Sequence, residues 1–190
     1  MESAKKEMAV RPMDIGKFPV LESERLRLRV QRLDDFAASL AMWSSPDVVR
    51  YISGQASTRQ ESWTRLLRNV GHWVLMGYGF WAVEERRGGA FLGEVGFGNF
   101  ERELEPSLDG IPEIGWVLAP SAHGRGFATE AVAAAVAWAD AHLEHRRTAC
   151  IISPMNEPSI RVARRNGYRE WTRTTYRDEP TILFERPRDG

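Results

Sequence analysis

His123-Gly124-Arg125-Gly126-Phe127-Ala128-Thr129-Glu130-Ala131 is the stretch from which the fold is read. Two closely spaced glycines open an alanine-rich segment in which Ala128, Val132, Ala135, Val136, Ala139 and Leu143 recur at helical spacing. Glu130, Asp140 and Glu144 fall on the opposite side, so the spacing predicts an amphipathic helix from Gly126 to about Leu143. Just upstream, Ile114-Gly115-Trp116-Val117-Leu118 reads as a strand, and Pro120 stops it. Glycine lets the backbone approach a ligand closely, and the unpaired N–H groups of a first helical turn favour an anion. The turn is therefore a candidate pyrophosphate cradle. It is not a Walker A loop, because no Lys-Ser/Thr pair follows the second glycine. Nor is it the dinucleotide-binding fingerprint, which needs a third glycine and an acidic residue beyond a βαβ unit. On mechanism alone, a tight strand-to-helix connection without any ligand fits equally well.

Working outward, Arg25-Leu26-Arg27-Leu28-Arg29-Val30 alternates like a half-buried strand, and Asp34 is placed to cap a short helix carrying Phe36, Leu40 and Trp43. Thr58 with Glu61 makes a capping box for a helix bearing Trp63, Leu66, Leu67, Val70, Trp73 and Val74. Phe80-Trp81-Ala82-Val83 and Phe91-Leu92-Gly93-Glu94-Val95-Gly96-Phe97 flank a turn-prone Arg86-Arg87-Gly88-Gly89 and predict a hairpin. Asn99 to Gly110 is polar and reads as a loop. Thr148 to Ile152 suits a central strand, and Asn156 can cap a last helix with Pro158 in its first turn and Gly167 as its stop. Two closing strands, near Tyr168 to Tyr176 and Thr181 to Glu185, complete the pattern. The sum is an α+β domain over residues 21–188, with one mixed, mostly antiparallel sheet of about six to seven strands and about four helices. Residues 1–20 read as a flexible leader.

Lys+Arg and Asp+Glu are equal at 26 each, which argues against a phosphate-neutralising surface for nucleic acid and gives no reason to expect an anionic membrane as partner. The leader is interrupted by Lys5, Lys6, Glu7, Arg11, Pro12 and Asp14 and holds no apolar run of signal-peptide or membrane-span length. A cytoplasmic protein is the expectation. Cys150 is the only cysteine, which excludes an intramolecular disulfide. His142 and His145 lie three apart without further ligands nearby, so no metal is expected.

Glu113-Ile114-Gly115-Trp116-Val117-Leu118-Ala119-Pro120 followed by Gly124-Arg125-Gly126-Phe127-Ala128-Thr129-Glu130-Ala131 resembles the acetyl-CoA-binding motif of the GNAT acetyltransferases. The family pattern Gln/Arg-x-x-Gly-x-Gly/Ala falls on His123 to Ala128, with His123 as the departure. Asn156-Glu157-Pro158-Ser159-Ile160-Arg161-Val162, running on to Gly167-Tyr168, resembles the family's Asn-x-x-Ser-x-x-Val…Gly-Phe/Tyr helix. Glu24-Arg25-Leu26-Arg27-Leu28-Arg29 and Ser45-Pro46-Asp47-Val48-Val49-Arg50-Tyr51 are similar to the opening of the RimJ/RimL-type subgroup.

The resemblance implies an enzyme that moves acetyl from acetyl-CoA to a primary amine, either a protein N-terminus or a small molecule. A homodimer is compatible with it. The implied cofactor contacts are Trp116, Val117 and Leu118 on the strand, His123, Gly124, Arg125, Gly126, Phe127, Ala128 and Thr129 at the turn, and Asn156 and Ser159 on the last helix. Glu113 is the leading candidate for the base, and Glu94 the second. Ser159 is read as a hydrogen-bond donor to the departing thiolate, since Ala163 stands where many relatives carry a tyrosine. Either residue also has a plain structural role open to it: Glu113 as a solvated strand start, Ser159 as a satisfied first-turn serine. Cys150, inside an apolar run, reads as a buried strand residue rather than a nucleophile. The acceptor pocket is expected from about Gln55 to Met76 and Asn99 to Ile111. Glu101, Glu103, Glu105 and Asp109 there would suit a cationic acceptor, although a charged loop is usually only solvated. A non-catalytic acyl-CoA-binding module on the same fold is the alternative.

Overall fold

The computed structural model describes residues 18–188. The expected leader falls largely on residues 1–17, outside the described residues. Phe18 packs on the main core, and the Pro19 carbonyl accepts from Trp81 Nε1 at 2.9 Å.

Eight strands form one sheet in the order β1-β2-β3-β4-β5-β6-β8-β7. They are β1 (Leu21–Glu22), β2 (Leu26–Val30), β3 (Phe80–Glu85), β4 (Phe91–Gly98), β5 (Glu113–Leu118), β6 (Arg147–Ile152), β7 (Arg169–Tyr176) and β8 (Glu179–Pro187). The helices are α1 (Phe36–Trp43), α2 (Pro46–Val49), α3 (Arg59–Met76), α4 (Phe127–His142) and α5 (Glu157–Arg165). The α+β expectation holds. The elements beyond it are β1 and α2, two and four residues long, too short to show any hydrophobic period.

Asp34 does not cap α1. A 3-10 turn over Leu33–Asp35 precedes that helix, and Asp35 instead turns its carboxylate back onto the Arg32 N–H at 2.7 Å and the Arg29 guanidinium. Arg29, 6% exposed, is satisfied there by Asp35 and Glu84, which is how a charged side chain on β2 tolerates burial.

Alternation sorts the side chains into two layers. On one face, Leu26, Leu28, Val30, Trp81, Val83, Val95, Phe97 and Ile114 join Ala131, Val132, Ala135 and Trp138 of α4 in the main core. Trp73, Trp81 and Trp138 meet edge to face there, with ring centroids 4.7 to 5.5 Å apart. On the other face, the register Glu94↔Val117, Gly96↔Gly115 and Gly98↔Glu113 aligns both carboxylates with a run of glycines between them. This second face lies under α1 and α3. Phe80 crosses its middle: a Cβ on Gly115 would lie 3.3 Å from the Phe80 ring, and one on Gly96 would run into the Gly79 carbonyl oxygen.

Candidate active site

The sheet opens between β5 and β6. β5 pairs with β4 over six registers but with β6 at one only, Glu113↔Ala149, next to an Ala149 N–H to Pro112 carbonyl bond of 3.1 Å. Beyond Glu113 the two parallel strands part, and Gly115, Trp116 and Val117 are half-buried where a central strand would be covered. The β5 edge facing β6 thereby presents backbone groups with no ladder partner. One of them, the Leu118 carbonyl, accepts from His123 Nε2 at 2.8 Å, so the His123 ring is turned back onto β5.

The glycine turn leads from this edge into α4. Gly124 and Gly126 have φ of 72° and 79°, the left-handed region that side-chain-bearing residues disfavour. Gly126 is the N-cap, and without a side chain it leaves the N–H groups of Phe127, Ala128 and Thr129 unused among the described residues. They point out of the positive end of a 16-residue helix. Phe127 is buried and anchors the turn, while Arg25 and Arg125 stack on its ring at 4.6 and 4.4 Å.

Arg25 is held by Glu130, whose carboxylate takes the Arg25 N–H at 2.9 Å, Arg25 Nε at 2.7 Å and Ser23 Oγ at 2.7 Å. Glu130 is therefore a tie between α4 and the β1–β2 connection rather than a solvated residue. Arg25 also donates to the Arg125 carbonyl at 2.9 Å, which brings a second guanidinium to the cradle. Sequence reading missed this residue, because its position depends on a partner more than a hundred residues away. Free helix N–H groups, positive-φ glycines and two arginines suit a pyrophosphate.

Across the opening, Asn156 caps α5 by accepting the Ser159 N–H at 3.2 Å. The Ser159 hydroxyl is half-exposed and makes no hydrogen bond among the described residues. Ala163 is fully buried in the main core beside α4.

The carboxylates on the second face differ in setting. Glu113, 6% exposed, receives a forked bond from Arg102 at 2.6 and 2.9 Å, and Arg102 also donates to the Tyr176 hydroxyl at 2.8 Å. A fork uses one lone pair on each oxygen and leaves the others available. Glu94, 2% exposed, accepts from Ser39 Oγ at 2.7 Å and from Trp43 Nε1 and Asn69 Nδ2 at 3.3 Å. Burial pushes its pKa up, with Ser39, Trp43 and Arg65 opposing. Cys150 is buried, and burial raises its thiol well above the ordinary range, as expected for a strand residue that is not a nucleophile. No three His, Cys, Asp or Glu residues come together as metal ligands among the described residues. No helix among them is long and apolar enough to cross a membrane.

Residues 25–169 match the family model described as an acetyltransferase (GNAT) domain. The chain belongs to the GNAT acetyltransferase family. It is similar to the uncharacterized protein YkkB of Bacillus subtilis, at 32% identity over 170 residues, 87% of this chain and 94% of YkkB. It is 27% identical over 143 residues to the uncharacterized N-acetyltransferase p20 of Bacillus licheniformis, covering 75% of this chain and 78% of p20. A solved GnaT-family acetyltransferase from Bordetella pertussis superposes with TM-score 0.79 and 31% identity, over 88% of this chain and 99% of that one. More distant structures share the fold alone. RimL with coenzyme A has TM-score 0.73 at 16% identity, covering 89% and 98% of the two chains. AAC(6')-Ib with parmomycin and acetyl-CoA has 0.72 at 20%, covering 87% and 94%.

Proposed function

We propose that this chain is an acetyl-CoA-dependent N-acetyltransferase that moves the acetyl group to a primary amine by direct attack. The observation that carries this reading is the single paired register between β5 and β6 beside a helix start with free N–H groups. A strand edge running into a positive helix end suits an acyl-pantetheine arm with a pyrophosphate behind it. The coenzyme A and acetyl-CoA held by RimL and AAC(6')-Ib, and the name carried by p20, support the choice of cofactor and reaction. The blocks around Arg25 and Pro46 support a place near the RimJ/RimL branch, working in the cytoplasm on a small-molecule amine or a protein N-terminus.

Acetyl-CoA supplies an activated acetyl thioester. Phe127, Ala128 and Thr129 bind its pyrophosphate through their N–H groups, with Gly124 and Gly126 keeping the approach clear and Arg125 and Arg25 adding charge. His123 fixes the turn against β5. The backbone of Trp116 and Leu118 pairs with the pantetheine amides, since that of Val117 is turned to β4 opposite Glu94, and with Asn156 orients the arm. The Ser159 hydroxyl donates to the sulfur as the thiolate leaves. The attacking amine must be neutral, and an α-amine with a reference pKa near ~8 needs less help than a lysine near ~10.4. Glu113 takes that proton through a water, using the lone pairs that Arg102 leaves free. Glu94 is the other carboxylate on the same face.

The test is release of CoA thiol from acetyl-CoA with a mixed panel of primary amines. Amine-dependent release supports the reading. Tight acetyl-CoA binding with no release for any amine or N-terminal peptide would point instead to an acyl-CoA-binding module.

A further inference from the structure

The acidic loop was the reason to expect a cationic acceptor, and the structure turns that expectation around. Glu101, Glu103, Glu105 and Asp109 all point to solvent, while Leu104 and Leu108 are buried and Arg102 turns inward to Glu113. The charge facing the β4–β5 surface comes from α3. Ser62, Leu66, Asn69 and Trp73 form the buried stripe of that helix. Arg65, Arg68 and His72 run alongside it at i, i+3 and i+7, on the flank that overlooks Glu94 and the 99–102 loop.

Arg65 lies over the Trp43 ring at 3.7 Å and donates Nη2 to Ser57 Oγ at 3.2 Å, while its buried Nη1 has no acceptor. Arg68 and Arg102 both approach the ring of Phe100, at 5.2 and 4.7 Å. Arg102 has Glu113. Neither Arg65 nor Arg68 has an ion pair among the described residues. Loss of solvent lowers the pKa of the half-buried Arg65, and the nearby Glu94 offsets this incompletely, whereas Arg68 lies exposed on the same flank. Glu94 is a poor counter-ion, since its own burial favours the neutral acid. The half-buried Arg65 guanidinium, with Nη1 lacking an acceptor, is costly without an anion beside it. The missing partner is an anion, for which the planar fork of arginine is suited.

Resting on the transferase reading above, we propose that the acceptor amine carries an anionic group, a carboxylate or a phosphate, held by Arg65 and Arg68 while its nitrogen faces the acetyl group. The cofactor's phosphates do not account for these two arginines. The glycine turn and Arg25 lie at the start of α4, which packs on the other face of the sheet.

The experiment compares matched acceptors by CoA thiol release: an α-amino acid, its carboxamide, its aminophosphonate analogue and a polyamine. The amino acid or the phosphonate should exceed the carboxamide and the polyamine in kcat/KM by about tenfold or more, and Arg65→Gln or Arg68→Gln should cut that preference by about 10–100-fold. Acetyl-CoA Kd should stay within about twofold in both variants, because neither touches the cradle. The better of the acid and the phosphonate identifies the anion. A carboxamide or polyamine used as well as the acid, or a preference that survives both substitutions, overturns the proposal. Should no amine be acetylated, the transferase reading fails and the anion site is judged separately. The acetyl-CoA complex is then melted with the N-acetylated amino acid and with its amide. A stabilisation by the acid alone that disappears in Arg68→Gln upholds the site, and equal or absent shifts overturn it. Arg68→Lys, which keeps the charge but loses the fork, should retain part of the preference and guards against a simple folding defect.

Discussion

Gly126 caps α4 with φ of 79°, and the nearest atom to a Cβ placed on it is Arg25 Nη2 at 3.5 Å. Local space is therefore adequate, and backbone strain is the stronger objection to a side chain. Gly126→Val is expected to abolish acetyl-CoA binding by titration while the domain stays folded by circular dichroism. Wild-type affinity in a folded variant would remove this glycine from the site. For the proton, Glu113→Gln should lower turnover by about a hundredfold at neutral pH, within the range of a general base, with the loss shrinking as pH approaches the amine's own pKa. Acetyl-CoA binding should hardly change. Glu94→Gln is the comparison, and Ser159→Ala should give a milder loss that does not fade with pH; full activity in Glu113→Gln would eliminate Glu113 as the base. Glu94 makes a separate prediction about stability. Its folded-state pKa is raised by burial, so the stability it contributes is complete below the unfolded carboxylate pKa and is lost as pH rises through the folded value. Urea midpoints of the wild type should therefore fall relative to Glu94→Gln as pH rises above the ordinary carboxylate range. Parallel curves for the two proteins would show that Glu94 has no such cost. The candidate residues of the turn could be read from sequence because their chemistry is local. The Glu113–Arg102 fork and the Arg25–Glu130 tie could not, since each joins chain segments that only the folded sheet brings together.

Among the elements, α3 was legible at its start and less so along its length. Thr58 Oγ1 accepts the Glu61 N–H at 3.2 Å and Glu61 accepts the Thr58 N–H at 2.7 Å, the capping box expected from the spacing. Thr58→Ala should lower the melting temperature by about 2–4 °C, the effect of losing one N-cap in a domain of this size. An unchanged melting temperature would mean that the box contributes nothing. The apolar residues of α3 misled, however. Leu66 and Trp73 are buried, but Trp63, Leu67 and Val74 are 40–51% exposed. The buried stripe mixes Leu66 and Trp73 with Ser62 and Asn69, because Asn69 reaches the buried Glu94 while Trp73 joins the main apolar core. Hydrophobic period alone cannot anticipate a polar interior. The 99–112 connection misled in the same way. Its acidic residues dominate the composition, whereas its inward-facing members are Leu104, Leu108 and Arg102.

At the scale of the molecule, the order of strands and helices was legible because each long element carries its own period and its own stop. The opening between β5 and β6 was not, since nothing in either strand announces that their pairing ceases after Glu113↔Ala149. The proposed function depends on acetyl-CoA lying along that opening, between the glycine turn and β5 edge on one side and Asn156 and Ser159 on the other. The most direct test is calorimetric titration of the purified chain with acetyl-CoA, followed by a melt at saturation. Acetyl-CoA is predicted to bind one site per chain with roughly micromolar Kd and to raise the melting temperature as its concentration rises above Kd, since it binds the folded chain alone. No heat of binding and an unchanged melting temperature at millimolar acetyl-CoA would contradict the central claim.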